Sequence, residues 1–171
     1  SKPVPAPVNL GSSDVVLITG GAKGVTAACA AELGRQFSPV IILIGRSPLP
    51  DPEPAWATGL SAPADLKKAV IANLFQGEKP TPAAVETEYQ KIISNREILN
   101  NIDLISSSGS TVRYFSADIR DREEIEAVCR SVREEFGPIT AVIHGAGIKE
   151  DKRIMDKDID AFSRVVETKF F

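Results

Sequence analysis

The chain has 171 residues, 43% of them hydrophobic and 25% charged, and a net charge of −3. That length suffices for one domain with a substantial core. The slight acidity gives no reason to expect nucleic acid or an acidic membrane surface as partner. No apolar run approaches the roughly 20 residues that span a bilayer, and no signal peptide opens the chain.

Residues 1–14 carry three prolines and no periodicity, so they read as a linker. The run Val15-Val16-Leu17-Ile18-Thr19 then reads as a buried parallel strand. It ends in the turn Gly20-Gly21-Ala22-Lys23-Gly24-Val25-Thr26, and a helix begins at once and runs to about Phe37. A strand, a tight turn and a helix N-terminus together present backbone N–H groups and a positive dipole end to a phosphate. The glycine spacing departs from G-x-G-x-x-G, because Ala22 stands where the second glycine would be, and the P-loop pattern is absent too. Thr26 either contacts a phosphate or begins the helix. The ligand-free alternative is an ordinary strand–turn–helix.

A second buried strand, Val40 to Ile44, is closed by Gly45. NAD-binding proteins place a carboxylate at this strand end to accept from the ribose 2′-hydroxyl. Here the strand ends Gly45-Arg46-Ser47. Arg46 offers a planar fork suited to a phosphate, and Lys23 adds a second cation, so NADPH is expected over NADH. A solvated strand-end charge is the other reading of Arg46.

The interval 48–109 is far longer than the dozen or so residues a crossover needs. Residues 48–54 are proline-rich and irregular. Ser61-Ala62-Pro63 starts a helix through Leu66, Ala69, Val70 and Leu74, which is expected to end at Gly77. A longer one opens with Thr81 as N-cap and Pro82 in its first turn. Its expected apolar face is Val85, Tyr89, Ile92, Leu99 and Ile102, with Gly109 closing it and Trp56 anchoring the insertion. This two-helix insertion is either a docking surface or a peripheral elaboration.

Strands are expected again at Thr111–Phe115 and Ala141–His144, with an amphipathic helix from about Arg122 to Phe136 between them. Alternation of strands and helices implies a doubly wound α/β fold, Rossmann-type, here with about four parallel strands. Asp118 stands where an acceptor for an adenine amino group would lie, with Ile119 covering the ring; alone, it reads equally as the next helix's N-cap. In His144-Gly145-Ala146-Gly147 the glycines let the backbone approach a ligand or a neighbouring strand. His144 itself reads as half-buried core. Cys29 and Cys129 fall in separate expected helices and read as isolated thiols, which suits a reducing, cytoplasmic location. A metal site built on histidines is excluded by there being only one.

Thr19-Gly20-Gly21-Ala22-Lys23-Gly24 is similar to the short-chain dehydrogenase/reductase pattern T-G-x-x-x-G-x-G, departing from it at Thr26. With Gly45-Arg46-Ser47, Ala117-Asp118-Ile119-Arg120-Asp121 and His144-Gly145-Ala146-Gly147, the order and strand positions resemble the ketoreductase domains of modular polyketide synthases. The resemblance is closer still to those of polyunsaturated-fatty-acid synthases. It covers Val15 to the C-terminus, insertion included.

The resemblance implies that NADPH delivers hydride to a β-keto group tethered through phosphopantetheine to an acyl carrier protein. It implies cofactor contacts from Thr19, Gly20, Gly21, Lys23, Gly24, Val25, Arg46, Ser47, Asp118, Ile119, Gly145, Ala146 and Gly147. A tyrosine would donate the proton, a serine would orient the carbonyl, and a lysine would lower the tyrosine pKa and hold the ribose. Lys169 matches the lysine; otherwise it is an exposed helix residue. Lys149-Glu150-Asp151 falls where many members have Leu-Asp-Asp, a feature linked to stereochemical direction.

The serine and tyrosine are expected beyond Phe171, since Tyr89 lies on the insertion and Tyr114 within a strand. The chain is therefore expected to be the N-terminal portion of a ketoreductase domain of a larger synthase, inactive alone and self-associating through the exposed edge of its fourth strand. An epimerase or dehydratase is disfavoured, because its T-G-x-x-G-x-x-G would put glycine at Lys23. A non-catalytic structural module remains the other alternative.

Overall fold

The computed structural model describes residues 9–76, 79–148, 153–156 and 158–170. Its elements in chain order are β1 (Val15–Thr19), α1 (Gly24–Phe37), β2 (Val40–Gly45), α2 (Pro63–Leu74) and α3 (Pro82–Ser107). β3 (Thr111–Ser116), α4 (Arg122–Phe136), β4 (Ala141–His144), a 3-10 turn (Ile154–Asp156) and α5 (Ile159–Phe170) follow. The expected strands and helices are all present; the helix end expected at Gly77 lies outside the described residues. No helix among those described is long and apolar enough to cross a membrane.

The chain divides into two compact units, residues 49–100 and the remainder. In the larger unit four parallel strands lie in the order β3-β2-β1-β4. β1 and β2 are central and read as unbroken apolar runs because both their faces are covered. One face carries Val15, Leu17, Ile42 and Ile44, which form a core with Ala117 and with Val128 and Val132 of α4. The alternate residues Val16, Ile18, Ile41 and Leu43 are fully buried on the other face. α4 begins where Asp121 accepts from the amides of Glu123 and Glu124. Asp121 is thus the N-cap, which removes that reading of Asp118. β4 is a sheet edge among the described strands, and its Val142 is 65% exposed.

In the smaller unit Thr81 caps α3 by accepting from the Ala84 amide at 3.2 Å. The buried α3 residues are Val85 and Ile98, with Ile105 in the part of the helix belonging to the larger unit. Of the expected face, Val85 is buried and Tyr89, Ile92, Leu99 and Ile102 are half-buried, whereas the fully buried Ile98 and Ile105 lie outside it. α3 runs through both units, so no single stripe describes its burial. Trp56 is half-buried, and Arg96 also holds the segment before α2. Its guanidinium donates to Glu53 Oε1 at 2.6 Å and to the carbonyls of Leu60 and Ala57 at 2.7 and 2.8 Å. Lys67 pairs with Glu86 at 2.5 Å while lying 4.7 Å over the Tyr89 ring, linking α2 to α3.

Candidate functional site

Parallel register brings the C-terminal ends of β1 and β4 level, with Thr19 opposite both Ile44 and His144. Gly20 leaves β1 with φ +68°, and a Cβ there would sit 2.9 Å from the backbone of Ala146. The loops after β1 and β4 therefore touch backbone to backbone, an approach only glycine permits. A Cβ on Gly145 would collide with the side chain of Thr26. Thr26 lies within the first turn of α1, and its side chain fills the space beside the β4 exit.

α1 starts at Gly24, φ +59°, where an added Cβ would meet nothing within 4 Å. Its first turn holds no acidic residue, and Val25 beside it is 81% exposed. An open helix start without carboxylates is electrostatically suited to an anion. Gly21 has a different task, since a Cβ there would strike Ile18 and Leu43 in the core.

At the end of β2, Gly45 packs against the hydroxyl of Tyr114, which donates to the Ser47 carbonyl at 2.6 Å. Ser116 Oγ donates to the Arg46 carbonyl at 3.3 Å, so β3 pins the backbone of both residues. The Arg46 and Ser47 side chains are exposed. Burial raises the Tyr114 pKa.

Asp118 follows β3. Arg120 donates to both of its carboxylate oxygens, at 2.6 and 3.0 Å, and the Arg120 amide donates to Oδ1. The Arg120 guanidinium holds the Asp118 carboxyl down to about 2, with a lesser contribution from the charge of Arg46. Asp118 in turn raises the Arg120 pKa, and the charge of Glu167 on α5 adds to this. Asp118 thus lies within reach of the charge of Arg46 and already has a cation on its oxygens. Arg120 is not among the expected site residues, although its spacing from Asp118 in Asp118-Ile119-Arg120 is that of a local Asx-type turn.

His144 is exposed rather than half-buried. Its Nδ1 lies 2.8 Å from Thr19 Oγ1 and its Nε2 lies 3.1 Å from the Thr168 carbonyl oxygen. Lys169 is exposed, and a Cβ on Gly147 would lie 3.9 Å from Lys169 Cε. Thr19, Gly20, Gly145, Ala146, Gly147 and Lys169 therefore converge on one end of the sheet. Arg46, Ser47 and Asp118 gather beyond β2 and β3 at the same end. Ile119 lines an apolar cavity of about 430 Å³ with Leu17, Ile44, Val142 and His144 among its walls. Lys149, Glu150 and Asp151 lie outside the described residues.

The sequence profile of the KR domain matches residues 14–171. The chain belongs to the KR domain family. KR domains are the ketoreductase domains of synthase assemblies. This KR chain is 31% identical over 170 residues to a polyunsaturated fatty acid synthase of Thraustochytrium sp., a match covering 94% of the chain and 6% of that protein. It is 28% identical over 160 residues to polyketide synthase PksM of Bacillus subtilis, covering 94% of the chain and 3% of that protein. The chain thus spans a small part of the synthases it matches. Among solved structures, an N-terminal ketoreductase from the macrolactin assembly line superposes with TM-score 0.64 at 22% identity, covering 96% of this chain and 24% of that one. That likeness establishes the fold.

Proposed function

We propose that this chain is the cofactor-binding half of an NADPH-dependent 3-ketoacyl-[acyl-carrier-protein] reductase within a polyketide or polyunsaturated-fatty-acid synthase. The observation that carries the reading is the convergence of the β1 exit, the β4 exit and Lys169 at one end of the sheet. Arg46, with no carboxylate adjoining it in the sequence Gly45-Arg46-Ser47 at the β2 exit, supports NADPH.

The residues fit a dinucleotide. The backbone from Lys23 to Val25, at the open start of α1, receives the pyrophosphate, and Arg46 with Ser47 receives the 2′-phosphate. Asp118, while keeping its ion pair with Arg120, accepts from the adenine amino group through a remaining lone pair, and Ile119 covers the ring. Gly145, Ala146 and Gly147 let the backbone approach the ligand, and Lys169 holds the ribose. NADPH, when bound, supplies the hydride. The substrate is a β-ketoacyl group on the phosphopantetheine arm of an acyl carrier protein.

Among the described residues neither tyrosine is placed to donate the proton. The Tyr114 hydroxyl is directed at the Ser47 carbonyl and burial raises its pKa, while Tyr89 belongs to the smaller unit. Calorimetric titration is expected to give NADPH binding tighter than NADH, with no NADPH oxidation when a β-ketoacyl thioester is added. Equal affinities would remove the NADPH assignment, and turnover would show that the proton donor lies within the chain.

The chain also self-associates through β4, an edge among the described strands, whose exposed Val142 offers a template for another strand. Light scattering is expected to give a mass above that of one chain. A monodisperse monomer would count against it.

A further inference from the structure

We infer that His144 is a positioning residue: its ring clamps the last turn of α5, and with it Lys169, to the end of β1. The value of the clamp for catalysis rests on the nicotinamide reading above, but the clamp is argued from hydrogen bonds alone.

Thr168 O is a main-chain carbonyl in the last turn of α5, where carbonyls lack an intrahelical partner. It can only accept, so Nε2, at 3.1 Å, carries the hydrogen. In the neutral ring Nδ1 is then bare and accepts from the Thr19 hydroxyl at 2.8 Å. Thr19 Oγ1 in turn accepts from the Ala146 amide at 3.3 Å. All donors point one way: from the Ala146 amide to Thr19, from Thr19 to the ring, from the ring to α5. Aligned chains of this kind reinforce one another. Thr168 is itself buried, and its hydroxyl donates to the Arg164 carbonyl at 2.7 Å, leaving its own carbonyl as the group facing the ring. Lys169 is the next residue, and its side chain runs past Gly147. The same relay therefore touches the β1 exit, the β4 exit and the root of Lys169.

The single histidine makes the test direct. In the full chain labelled with ¹⁵N-histidine, long-range ¹H–¹⁵N correlation is expected to show one ring with Nε2 protonated and Nδ1 bare. The Nδ1–H tautomer, or an averaged ring, would overturn the clamp. Thr19→Val is expected to shift the ring toward a tautomer mixture. His144→Phe is expected to speed amide exchange at residues 167–170 about tenfold, the loss of roughly one hydrogen bond, with far-UV circular dichroism unchanged. Unchanged exchange there would also overturn it. For the cofactor, a cycle of His144→Phe and Lys169→Met distinguishes a route through Lys169 from general damage. The double variant is expected to bind NADPH no more weakly than Lys169→Met alone, whereas additive losses would refute the route. If the unsubstituted chain binds no NADPH, the cofactor reading fails, and the tautomer and exchange results still decide the clamp.

Discussion

Arg46→Glu is expected to weaken NADPH binding by about 10- to 100-fold and to leave NADH binding equal or tighter. Arg46 leaves β2 on a backbone pinned by Tyr114 and Ser116, so a substitution there changes the chemistry presented while the strand end stays in place. A charge-assisted hydrogen bond contributes about 1.5–3 kcal/mol, which corresponds to roughly 10- to 100-fold in affinity. The introduced carboxylate adds repulsion of a 2′-phosphate and offers an acceptor to a 2′-hydroxyl. Asp118 does not already supply that repulsion, because Arg120 covers its oxygens. Arg46→Met is expected to fall between, losing attraction without gaining repulsion. Calorimetry with both nucleotides on all three chains is the measurement. A preference for NADPH that survives Arg46→Glu would show that Arg46 is only a solvated charge.

Gly20→Val is expected to be the most destabilising substitution in the site. Two costs coincide there. The residue has φ +68°, which costs an L residue roughly 1–2 kcal/mol and a β-branched one more. Its Cβ would also sit 2.9 Å from Ala146 backbone atoms, which have no flexible end to move aside. Overpacking of that kind adds about 1–3 kcal/mol. The sum, about 2–5 kcal/mol, lowers the Tm by roughly 5–15 °C in a chain of this size. Gly24→Val is the control, since φ there is +59° but nothing lies within 4 Å of the added carbon. It should lose only the dihedral part. Equal melting temperatures for the two variants would mean that the β1 and β4 exits do not touch as described.

Much of the fold is legible from local signals. The β-branched runs mark all four strands, and the amphipathic pattern marks α4 from Arg122 to Phe136, although its N-cap is Asp121 and not Asp118. Thr81 is recognisable as a cap because capping involves only the residues beside it in the chain. The expected α3 face includes the buried Val85 but omits Ile98 and Ile105, because its apolar residues allow more than one stripe and burial depends on what packs against each stretch. His144 reads as core because an apolar strand surrounds it in sequence, whereas its neighbours in space are a hydroxyl and a helix-end carbonyl.

The sequence by itself determined the α/β class, the strand–turn–helix with its Gly20-x-x-x-Gly24 spacing, the cation at the end of β2 and the family likeness. All of these are written in contiguous residues, where backbone propensity, periodicity and charge act locally. Only the tertiary structure decided that Thr26 packs against Gly145, that Arg120 occupies the oxygens of Asp118, and that His144 ties Thr19 to the turn bearing Lys169. Thr19 and His144 stand 125 positions apart, and only parallel pairing of β1 with β4 makes them neighbours. Contacts of that range follow from strand order and register, which no local pattern of residues encodes.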